Sequence, residues 1–412
     1  MNIFKSADIL LPQNVEMERW AVIACDQFTS DPVYWSRVRT HAAGVPSAIN
    51  LILPEADLGS ANEEEAVSAI NQTMEEYLQK NVFKTYSDAY IYIERTLVDG
   101  SVRPGLLGVV DLEAYDYHAG SSSMIRATEK TVLERIPPRQ RVRRDAAIEL
   151  PHVLMLCDDD QMQLIEPIGQ CKDSLPKIYD FDLMEQGGHI CGWLVQGDVA
   201  RAFDKRLSDY TQQIPHKYAG MQNADVLLAV GDGNHSLATA KSCYEALKAA
   251  NPGADLRNHP ARFSLVELEN IHDPSLVFAP IHRIITDTDA QRLLKDLQEV
   301  CAEDGYPIQW VVGDKTGTVN LDRRKGELAI AVLQAFLDQW LEVNPGQIDY
   351  IHGESEVAQL AKQDNAIGFL LPAMEKQQLF RGVISGGCLP RKTFSMGHAR
   401  EKRYYLEGRK IK

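Results

Sequence analysis

A chain of 412 residues can bury a large hydrophobic core, and its length predicts two or three domains. Its 58 acidic and 43 basic side chains give a formal net charge of −15, which disfavours non-specific binding to nucleic acid or to an anionic membrane, because both need a basic surface. No run of about 18 uncharged apolar residues is present, so we expect neither secretion nor membrane insertion, and we expect a cytoplasmic protein. The seven cysteines lack any Cys-x-x-Cys spacing, which is typical of reduced thiols rather than of disulfides or a zinc cage.

Residues 1–120 are predicted to form an N-terminal α/β part. Trp20–Cys25 has the apolar pattern of a buried strand, and Asp26, which follows it, is either a site residue or the cap of a turn. An amphipathic helix is predicted over Glu63–Val82. Residues 90–112 alternate on both sides of an Asp-Gly pair and therefore predict an antiparallel hairpin.

A serine-rich stretch, Ser121–Thr131, brings two cations and an acid close together in the sequence. Arg126 and Lys130 can neutralise phosphate oxygens, while Glu129 can accept the proton of an attacking hydroxyl group or water. The structural alternative is a solvated loop that starts a helix capped by Thr128. The residues alone leave both interpretations open.

Two further charged runs also allow a functional and a structural interpretation. Arg135–Arg144 contains five arginines, which face either a phosphorylated ligand or the acidic surface of the chain itself. Asp158–Asp160 follows a predicted buried strand, His152–Cys157, and precedes the apolar-alternating Gln161–Ile165. This order predicts the exposed tip of a hairpin, with a Mg²⁺ site as the alternative.

The densest polar turn of the chain lies between a predicted strand, Val226–Val230, and a helix predicted from residue 237 onward. Gly231 and Gly233 allow a sharp turn, and Asn234 or Ser236 is the predicted N-cap of the helix. Main-chain amides at the start of a helix bind anions, and the helix dipole adds to their attraction.

Asp232 and His235 add a carboxylate and an imidazole to this turn. An imidazole titrates near neutral pH, so the pair is suited to acid/base chemistry or to orienting a substrate. The alternative is a glycine-rich turn with a polar cap and a histidine bonded to the backbone.

The last third of the sequence predicts an additional α/β layer. His282-Arg283 interrupts an apolar run, so the pair either faces a polar cleft or has satisfied partners within a sheet. Helices are predicted over Ala290–Cys301 and Glu327–Leu341, around a strand at Ile308–Val312. Lys392, in an extended loop near the end of the chain, can reach a phosphate as a mobile point charge, and the basic tail that follows it is expected to be solvated.

Several separate segments together resemble the family labelled domain of unknown function 1015. They are Cys25-Asp26-Gln27-Phe28, Ile125 to Thr131, Gly231 to Ser236, Pro280-Ile281-His282-Arg283 and Leu389 to Thr393. The turn differs from the family's usual Asp-Gly-His-His-Arg in having Asn234 for His and Ser236 for Arg, which removes a bidentate phosphate clamp. The family is in turn distantly similar to the ParB/sulfiredoxin-like fold, in which such a turn holds a nucleotide phosphate and one branch phosphorylates free serine.

The resemblance implies a mixed α/β protein (α+β) with a ParB/sulfiredoxin-like mixed-sheet core. The predicted parts are 1–120, 121–285 with the anion-binding turn, and 286–412 with the basic tail. The predicted catalytic residues are Asp232, His235 and Glu129. The predicted substrate- and phosphate-binding residues are Gly231, Gly233, Asn234, Ser236, Arg126, Lys130, His282, Arg283 and Lys392.

Three functions fit these residues. The first is phosphoryl transfer or phosphate-ester hydrolysis on a small metabolite, with serine or phosphoserine implied by the resemblance and with Mg²⁺ and ATP, ADP or another phosphate donor as cofactors. The second is a non-catalytic sensor that binds a nucleotide or phosphorylated metabolite at the same turn. The third is a metal-dependent hydrolase with Asp232, His235 and His282 as ligands, although their spacing matches no known metal motif.

Overall fold

A computed structural model describes residues 3–24, 28, 31–118, 120–397 and 399–412. The candidate site residue Asp26 lies outside the described residues. The chain divides into two compact units. The first unit comprises Met1–Ala127, Thr131–Leu276 and His398–Lys412, and the second comprises Thr128–Lys130 and Val277–Gly397. The division into three parts stays a prediction of the sequence.

Strands and helices are numbered here in chain order. The strands are β1 Phe4–Lys5, β2 Ala7–Pro12, β3 Val22–Ile23, β4 Phe83–Thr96, β5 Val102–Asp111, β6 Tyr115–Asp116, β7 Ile125–Ala127, β8 Ile148–Glu149, β9 Leu154–Cys157, β10 Lys177–Asp182, β11 His189–Val195, β12 Leu228–Asp232, β13 Phe263–Asn270, β14 Phe278–Pro280, β15 His282–Thr286, β16 Gly305–Val312, β17 Lys315–Asp322, β18 Gln347–Ile351, β19 Ile367–Leu370, β20 Phe394–Met396, β21 Tyr404–Tyr405 and β22 Arg409–Lys410. The α-helices are α1 Met17–Trp20, α2 Pro32–His41, α3 Glu63–Gln79, α4 Ile136–Arg144, α5 Glu166–Gln170, α6 Gly197–Lys217, α7 Asn234–Ala250, α8 Ala290–Asp296, α9 Ala329–Val343, α10 Glu354–Leu360 and α11 Lys376–Gly386.

The first unit is built on a large mixed sheet, with the strand order β10-β11-β4-β5-β13-β9-β12-β7-β6. β1 and β2 pair with β5 and β4 outside this order. Most pairs are antiparallel, but β9 is parallel to β13, and β7 is parallel to both β12 and β6. Together with its helices, this sheet confirms the predicted mixed α/β class.

The predicted hairpin forms the middle of this sheet. β4 and β5 pair antiparallel, with Ile93 opposite Gly105 and Thr96 opposite Val102. Ile93 is fully buried, which contributes roughly 1.5–3 kcal/mol for a side chain of this size. The predicted amphipathic helix is α3, and the predicted strand before the polar turn is β12, which is shifted by two residues toward the turn.

Three short segments differ from the sequence predictions. Trp20 is the last residue of helix α1, so of the strand predicted over Trp20–Cys25 only Val22–Ile23 is observed, as β3. Ile125–Ala127 forms β7 rather than a loop, because β12 and β6 supply its hydrogen-bonding partners. Gln161–Ile165 forms no strand, since β9 pairs with β12 and β13 instead.

The three aspartates after β9 are not the exposed tip of a hairpin, as the sequence predicted. Asp158 and Asp159 are buried. Asp158 forms an ion pair with Lys217 at 2.9 Å, and its Oδ1 lies 2.5 Å from His272 Nε2. Asp159 accepts the main-chain N–H groups of Gln163 and Leu164 at 2.6 and 2.7 Å. These carboxylates therefore hold the loop that follows β9.

The arginine-rich segment forms helix α4, and three of its arginines pair with acids. Arg141 contacts Glu63 and Arg143 contacts Glu149, both at 2.5 Å. Arg144 contacts the adjacent Asp145 at 3.2 Å. For these three side chains, pairing with the chain's own acids is confirmed.

The basic tail is buried in the first unit instead of being solvated. Tyr404–Tyr405 pairs with β3, and Arg409–Lys410 pairs with β8. Arg403 is buried and lies 2.9 Å from Glu267. The buried cations of the tail are paired with acids, since Lys402 meets Asp232 and Arg409 meets Glu149 as well.

The second unit contains the predicted additional α/β layer. Its five-stranded sheet has the order β17-β16-β19-β15-β18, and β14 pairs with β20 separately. Helix α9 supplies a mostly apolar buried face that includes Leu333, Phe336 and Leu337. In the described part of the chain, no helix of either unit is long and apolar enough to cross a membrane.

Candidate functional site

The polar turn joins β12 to α7 in the first unit and lies between strands β9 and β7. The pairing of β12 with β9 shifts register between Val230 and Asp232, so Gly231 is the extra residue of a β-bulge. A bulge bends the strand as it reaches the turn. Residues 231–236 are all partly exposed, so the turn is not sealed under other side chains.

Gly233 makes the turn into the helix possible. Its φ of +82° lies in the left-handed region, where a side chain is strained. A Cβ at this position would lie 3.1 Å from Val153 Cα and 3.5 Å from a ring carbon of His152, Cδ2. Gly233 is also the residue at the N-cap, and no side chain caps the helix. The predicted cap by Asn234 or Ser236 is wrong, because the left-handed glycine starts the helix one residue earlier.

The first turn of α7 carries the candidate anion-binding amides. The first intrahelical hydrogen bond runs from Leu237 N–H to Gly233 O at 3.1 Å. The amides of Asn234, His235 and Ser236 precede that bond and lie at the positive end of the helix dipole. Their position at a partly exposed corner is suited to a phosphate or carboxylate.

Asp232 is held as a carboxylate beside these amides. Its Oδ1 accepts the Gly233 N–H at 2.8 Å, and its Oδ2 lies 3.1 Å from Lys402 Nζ. Burial opposes ionisation, but the charge of Lys402 and these hydrogen bonds outweigh it, so the pKa of Asp232 lies below its ordinary value. Asp232 is therefore ionised at neutral pH.

Sequence reasoning missed Lys402, which belongs to the tail expected to be solvated. Its position is fixed by the sheet: Arg95 donates to the main-chain oxygen of Lys402 at 3.0 Å, and Arg103 donates to that of Glu401 at 3.1 Å. One signal was present, since the tail joins its cations to the apolar residues Tyr404, Tyr405 and Leu406. Apolar residues of this size are typical of a segment that packs against the protein rather than of a solvated tail.

His235 lies on the first turn of α7 and contacts the chain after β7. Its Nε2 accepts the N–H of Val132 at 3.2 Å. A main-chain N–H can only donate, so Nε2 carries a lone pair and a neutral ring carries its proton on Nδ1. Nδ1 is therefore the nitrogen of the neutral ring that can donate a hydrogen bond. Its backbone oxygen accepts Thr239 Oγ1 at 2.7 Å, which ties it to the next helical turn.

His152 is a second residue that sequence reasoning did not select. It precedes β9, beside Gly233, and its ring packs edge-to-face on Tyr405 at 5.2 Å. The charge of His152, when protonated, favours the ionised form of Asp232. The first unit thus gathers Asp232, His235, Lys402 and His152 around one helix start.

Arg126 is directed away from this turn. It lies on β7 opposite Ala229 of the parallel strand β12. Its guanidinium donates to Ser123 O at 2.9 Å and also at close range to Asn223 O. Both oxygens precede the two strands, at the end of the sheet opposite to the turn. Arg126 therefore supports the backbone at that end of the sheet.

Two of the remaining predicted residues meet within the second unit. Glu129 Oε1 accepts the N–H of Lys392 at 3.0 Å, and Glu129 forms an isolated bridge with Leu389. Lys392 has a φ of +56° and is exposed, as is Lys130. The structure brings the candidate base and this candidate cation together through the main chain of the lysine.

His282 and Arg283 lie on β15 and are buried. His282 Nδ1 accepts the N–H of Leu371 at 3.1 Å, and burial lowers the pKa of this imidazole. Arg283 donates to Lys392 O at 2.9 Å and to Arg391 O at 3.0 Å. Burial lowers its pKa to about 10. Arg283 therefore holds the loop that carries Lys392.

Comparison with models of known protein families shows which family the chain belongs to. Residues 8–406 match the model described as "Protein of unknown function (DUF1015)". The chain belongs to the DUF1015 family. The search among curated proteins gave no match.

Solved structures similar to this DUF1015 protein are distant. SbnI with a C-terminal truncation, from Staphylococcus aureus, has 10% identity and a TM-score of 0.36, with 71% of this chain and 82% of that chain covered. A conserved hypothetical protein from Pyrococcus furiosus has 11% identity and a TM-score of 0.34, with 72% and 90% covered. A mutant free serine kinase in complex with AMP has 12% identity and a TM-score of 0.39, with 74% and 91% covered. Likeness at this level assigns no activity to this DUF1015 protein.

Proposed function

We propose that the start of helix α7 binds a phosphate group of a nucleotide or small phosphorylated metabolite, and that the protein transfers or hydrolyses this group. The observation that carries the proposal is the arrangement of the first-turn amides of Asn234 to Ser236 next to Lys402 and His235. Amides and a lysine neutralise phosphate oxygens, and the Nδ1–H of His235 adds a directed donor.

The chemistry divides between charge neutralisation and proton transfer. In the transfer reaction, the bond from phosphorus to the bridging oxygen of the donor breaks, and the oxygen of an acceptor hydroxyl or water bonds to phosphorus. The hydroxyl proton passes to a carboxylate, for which the candidate in the first unit is Asp232. Asp232 is ionised and so can accept a proton, and Lys402 keeps it in place. The role of Glu129 stays a prediction from the sequence.

The proposed cofactors are ATP, ADP or another phosphate donor with Mg²⁺. Asp232 is the carboxylate that the turn offers to Mg²⁺, and Lys402 already neutralises it at 3.1 Å. Lys402 therefore supplies part of the positive charge that Mg²⁺ would bring to this carboxylate. Serine and phosphoserine are candidate substrates because the family resemblance of the sequence implies them.

A non-catalytic sensor is the second candidate, and one observation favours it. His235 Nε2 accepts a main-chain N–H, and Asp232 is held by Lys402 and Gly233. In a sensor, these contacts would let both groups bind and orient the ligand without exchanging a proton. The metal-dependent hydrolase is less favoured, because His282 Nδ1 accepts the N–H of Leu371, which places the proton of a neutral ring on Nε2 and leaves no lone pair for a metal.

The test is phosphorus NMR on the purified full chain, with ATP, ADP or pyrophosphate and a panel of hydroxy-amino acids that includes serine, with and without Mg²⁺. We expect a new phosphate species, formed at least about tenfold more slowly by His235→Ala because a directed donor is lost. The matched control is His216→Ala, an exposed histidine of α6, which should react as the unmodified protein does.

Each outcome selects one function. Binding of a donor without product in any mixture supports the sensor and refutes turnover. Activity that returns only with Zn²⁺ or Mn²⁺ after chelation supports the hydrolase. Equal rates and equal affinities for His235→Ala and His216→Ala would refute the assignment of the site to this turn. Glu129→Gln in the same assay tests the predicted base.

A further inference from the structure

The hairpin formed by β10 and β11 carries two acids, a histidine and a cysteine on one face. Asp180 lies opposite Cys191, and Asp182 lies opposite His189. In a strand, residues two apart point to the same side, so the four side chains share a face. The other face of the hairpin is buried, and the four residues lie on the more exposed one.

The histidine is held between the two carboxylates. Its Nδ1 lies 2.7 Å from Asp182 Oδ1, and its Nε2 lies 2.7 Å from Asp180 Oδ1. One potential ligand atom each from Asp180, His189 and Cys191 lies within 4.8 Å of the others. Among the residues that the structure describes, this is the one group of three or more such side chains that could hold a metal ion.

We propose that Asp180, His189 and Cys191 bind a Zn²⁺-class divalent cation, with water completing a tetrahedron. One oxygen, one nitrogen and one sulfur ligand suit zinc, whereas Mg²⁺ and Ca²⁺ prefer oxygen alone. Three protein ligands and an open position are typical of exchangeable or catalytic zinc rather than of closed structural zinc. The proposal is independent of the function assigned to the α7 turn.

Asp182 supplies the outer partner that zinc-binding histidines usually have. Its contact with Nδ1 orients the ring and leaves Nε2 directed at Asp180. On binding, the metal replaces the proton between Nε2 and Asp180 and the proton of the thiol, and both protons pass to solvent. The nitrogen and oxygen then separate from 2.7 Å to roughly 3.3 Å, the spacing that bonds of about 2.0–2.1 Å require around a tetrahedral ion.

The strand that supplies two of the ligands is held on both sides. β11 pairs with β10 on one edge and with β4 on the other. A side chain at Gly188 would collide with the main-chain oxygen of Thr96, and one at Gly192 would collide with the ring of Tyr179. His189 and Cys191 are therefore positioned by a rigid backbone, and only side chains that are not buried need to rotate.

Lys177 opposes the metal and provides a test of the charge argument. Its Nζ lies 2.6 Å from Asp180 Oδ2, the carboxylate oxygen not bonded to His189. A lysine so close repels a divalent cation. Lys177→Met should therefore tighten metal binding, and unchanged binding would contradict a metal site beside Asp180.

The experiment titrates the reduced full-length protein with Co²⁺ as a spectroscopic substitute for Zn²⁺. We expect a thiolate-to-cobalt charge-transfer band that saturates at one equivalent. Cys191→Ser should abolish the band and weaken Zn²⁺ binding, measured by competition with a chromophoric chelator, at least about tenfold. The matched control is Cys171→Ser, which removes another partly exposed thiol of the same unit and should leave both readouts unchanged.

The substitution Asp182→Asn tests whether Asp182 is a hydrogen-bond partner of His189 or a ligand of the metal. We expect it to weaken Zn²⁺ binding about 10–100-fold while keeping the charge-transfer band, because the sulfur ligand remains. Circular dichroism checks that each variant is folded, and His189→Gln provides a second ligand variant. A band that survives in Cys191→Ser, a band lost in Cys171→Ser, or no saturable band in the unmodified protein would overturn the proposal.

Discussion

Replacement of Lys402 by Met tests the centre of the candidate site. The change removes the cation 3.1 Å from Asp232 and keeps most of the side-chain volume. The carboxylate stays beside the start of α7 without its ion-pair partner. We expect Lys402→Met to destabilise the fold and to weaken phosphate binding.

The magnitude follows from distance and exposure. At 3.1 Å and an effective dielectric constant of about 20, the gross attraction is about 5 kcal/mol. The lysine side chain is 11% exposed, but the Asp232 side chain is 35% exposed, so water screens the pair. Exposed pairs contribute about 0.2–1 kcal/mol, and loss of one partner from a buried pair costs about 3–5 kcal/mol. We therefore expect a loss of about 2 kcal/mol.

The assay is a double-mutant cycle by urea denaturation with Lys402→Met, Asp232→Asn and both together. We expect the double variant to be about 1 kcal/mol more stable than the sum of the single losses predicts. The folded-state pKa of Asp232 is lowered, so its contribution is present above the unfolded value of 3.8 and is lost as the pH falls through the folded pKa. Lys402→Met should reduce that acid-dependent loss.

Strict additivity of the two substitutions, within about 0.3 kcal/mol, would refute the reasoning. An acid limb of the stability curve that is identical in Lys402→Met and the unmodified protein would refute it as well. Either result would mean that Lys402 and Asp232 do not act as a pair, and the α7 turn would lose its cation.

Three further predictions concern the scaffold around the site. Gly233→Ala should cost about 2–3 kcal/mol in urea denaturation and Gly100→Ala only about 1, because both have φ near +83° but only Gly233 has a neighbour at 3.1 Å. Burial raises the pKa of Glu269 to about 7, so stability should fall by about 3 kcal/mol as the pH rises from 4.5 to 7, and Glu269→Gln should remove that fall. Trp20→Phe should cost about 2 kcal/mol by thermal denaturation, because its Nε1–H donates to the buried Leu406 O at 2.7 Å.

Equal losses at the two glycines would show that the approach of Val153 to Gly233 has no energetic effect. A stability profile unchanged by Glu269→Gln would mean that this carboxyl keeps its ordinary pKa. Trp20→Phe with unchanged thermal stability would show that the tail around Leu406 does not need the indole hydrogen bond.

The raised pKa of Glu269 has a geometric cause. Its Oε1 lies 2.9 Å from Arg103 Nε, close enough for charge attraction. Among the described residues, however, neither oxygen of this buried carboxylate has a hydrogen-bond partner. The cost of desolvating the charged carboxylate therefore outweighs its attraction to Arg103, and the protonated form of Glu269 is favoured.

Local features of the sequence determined most individual elements of the fold. Alternation around an Asp-Gly pair predicted the hairpin of β4 and β5. Helical periodicity predicted α3, and an apolar run followed by glycines predicted the passage from β12 to α7. These patterns succeed because a side chain's periodicity reports the local backbone in which it sits. The family resemblance, which depends on several such segments together, was confirmed.

Only the tertiary structure decided which distant residues meet. β7 has three residues and exists because two other strands pair with it, which no local pattern reveals. Lys402 reaches Asp232 because Arg95 and Arg103, on the central hairpin, hold the main chain of the tail. In the same way, the register of β10 with β11 groups an acid, a histidine and a cysteine that the sequence showed as scattered. Long-range pairing and burial set these contacts, so residue type and spacing could name candidate groups but could not bring them together.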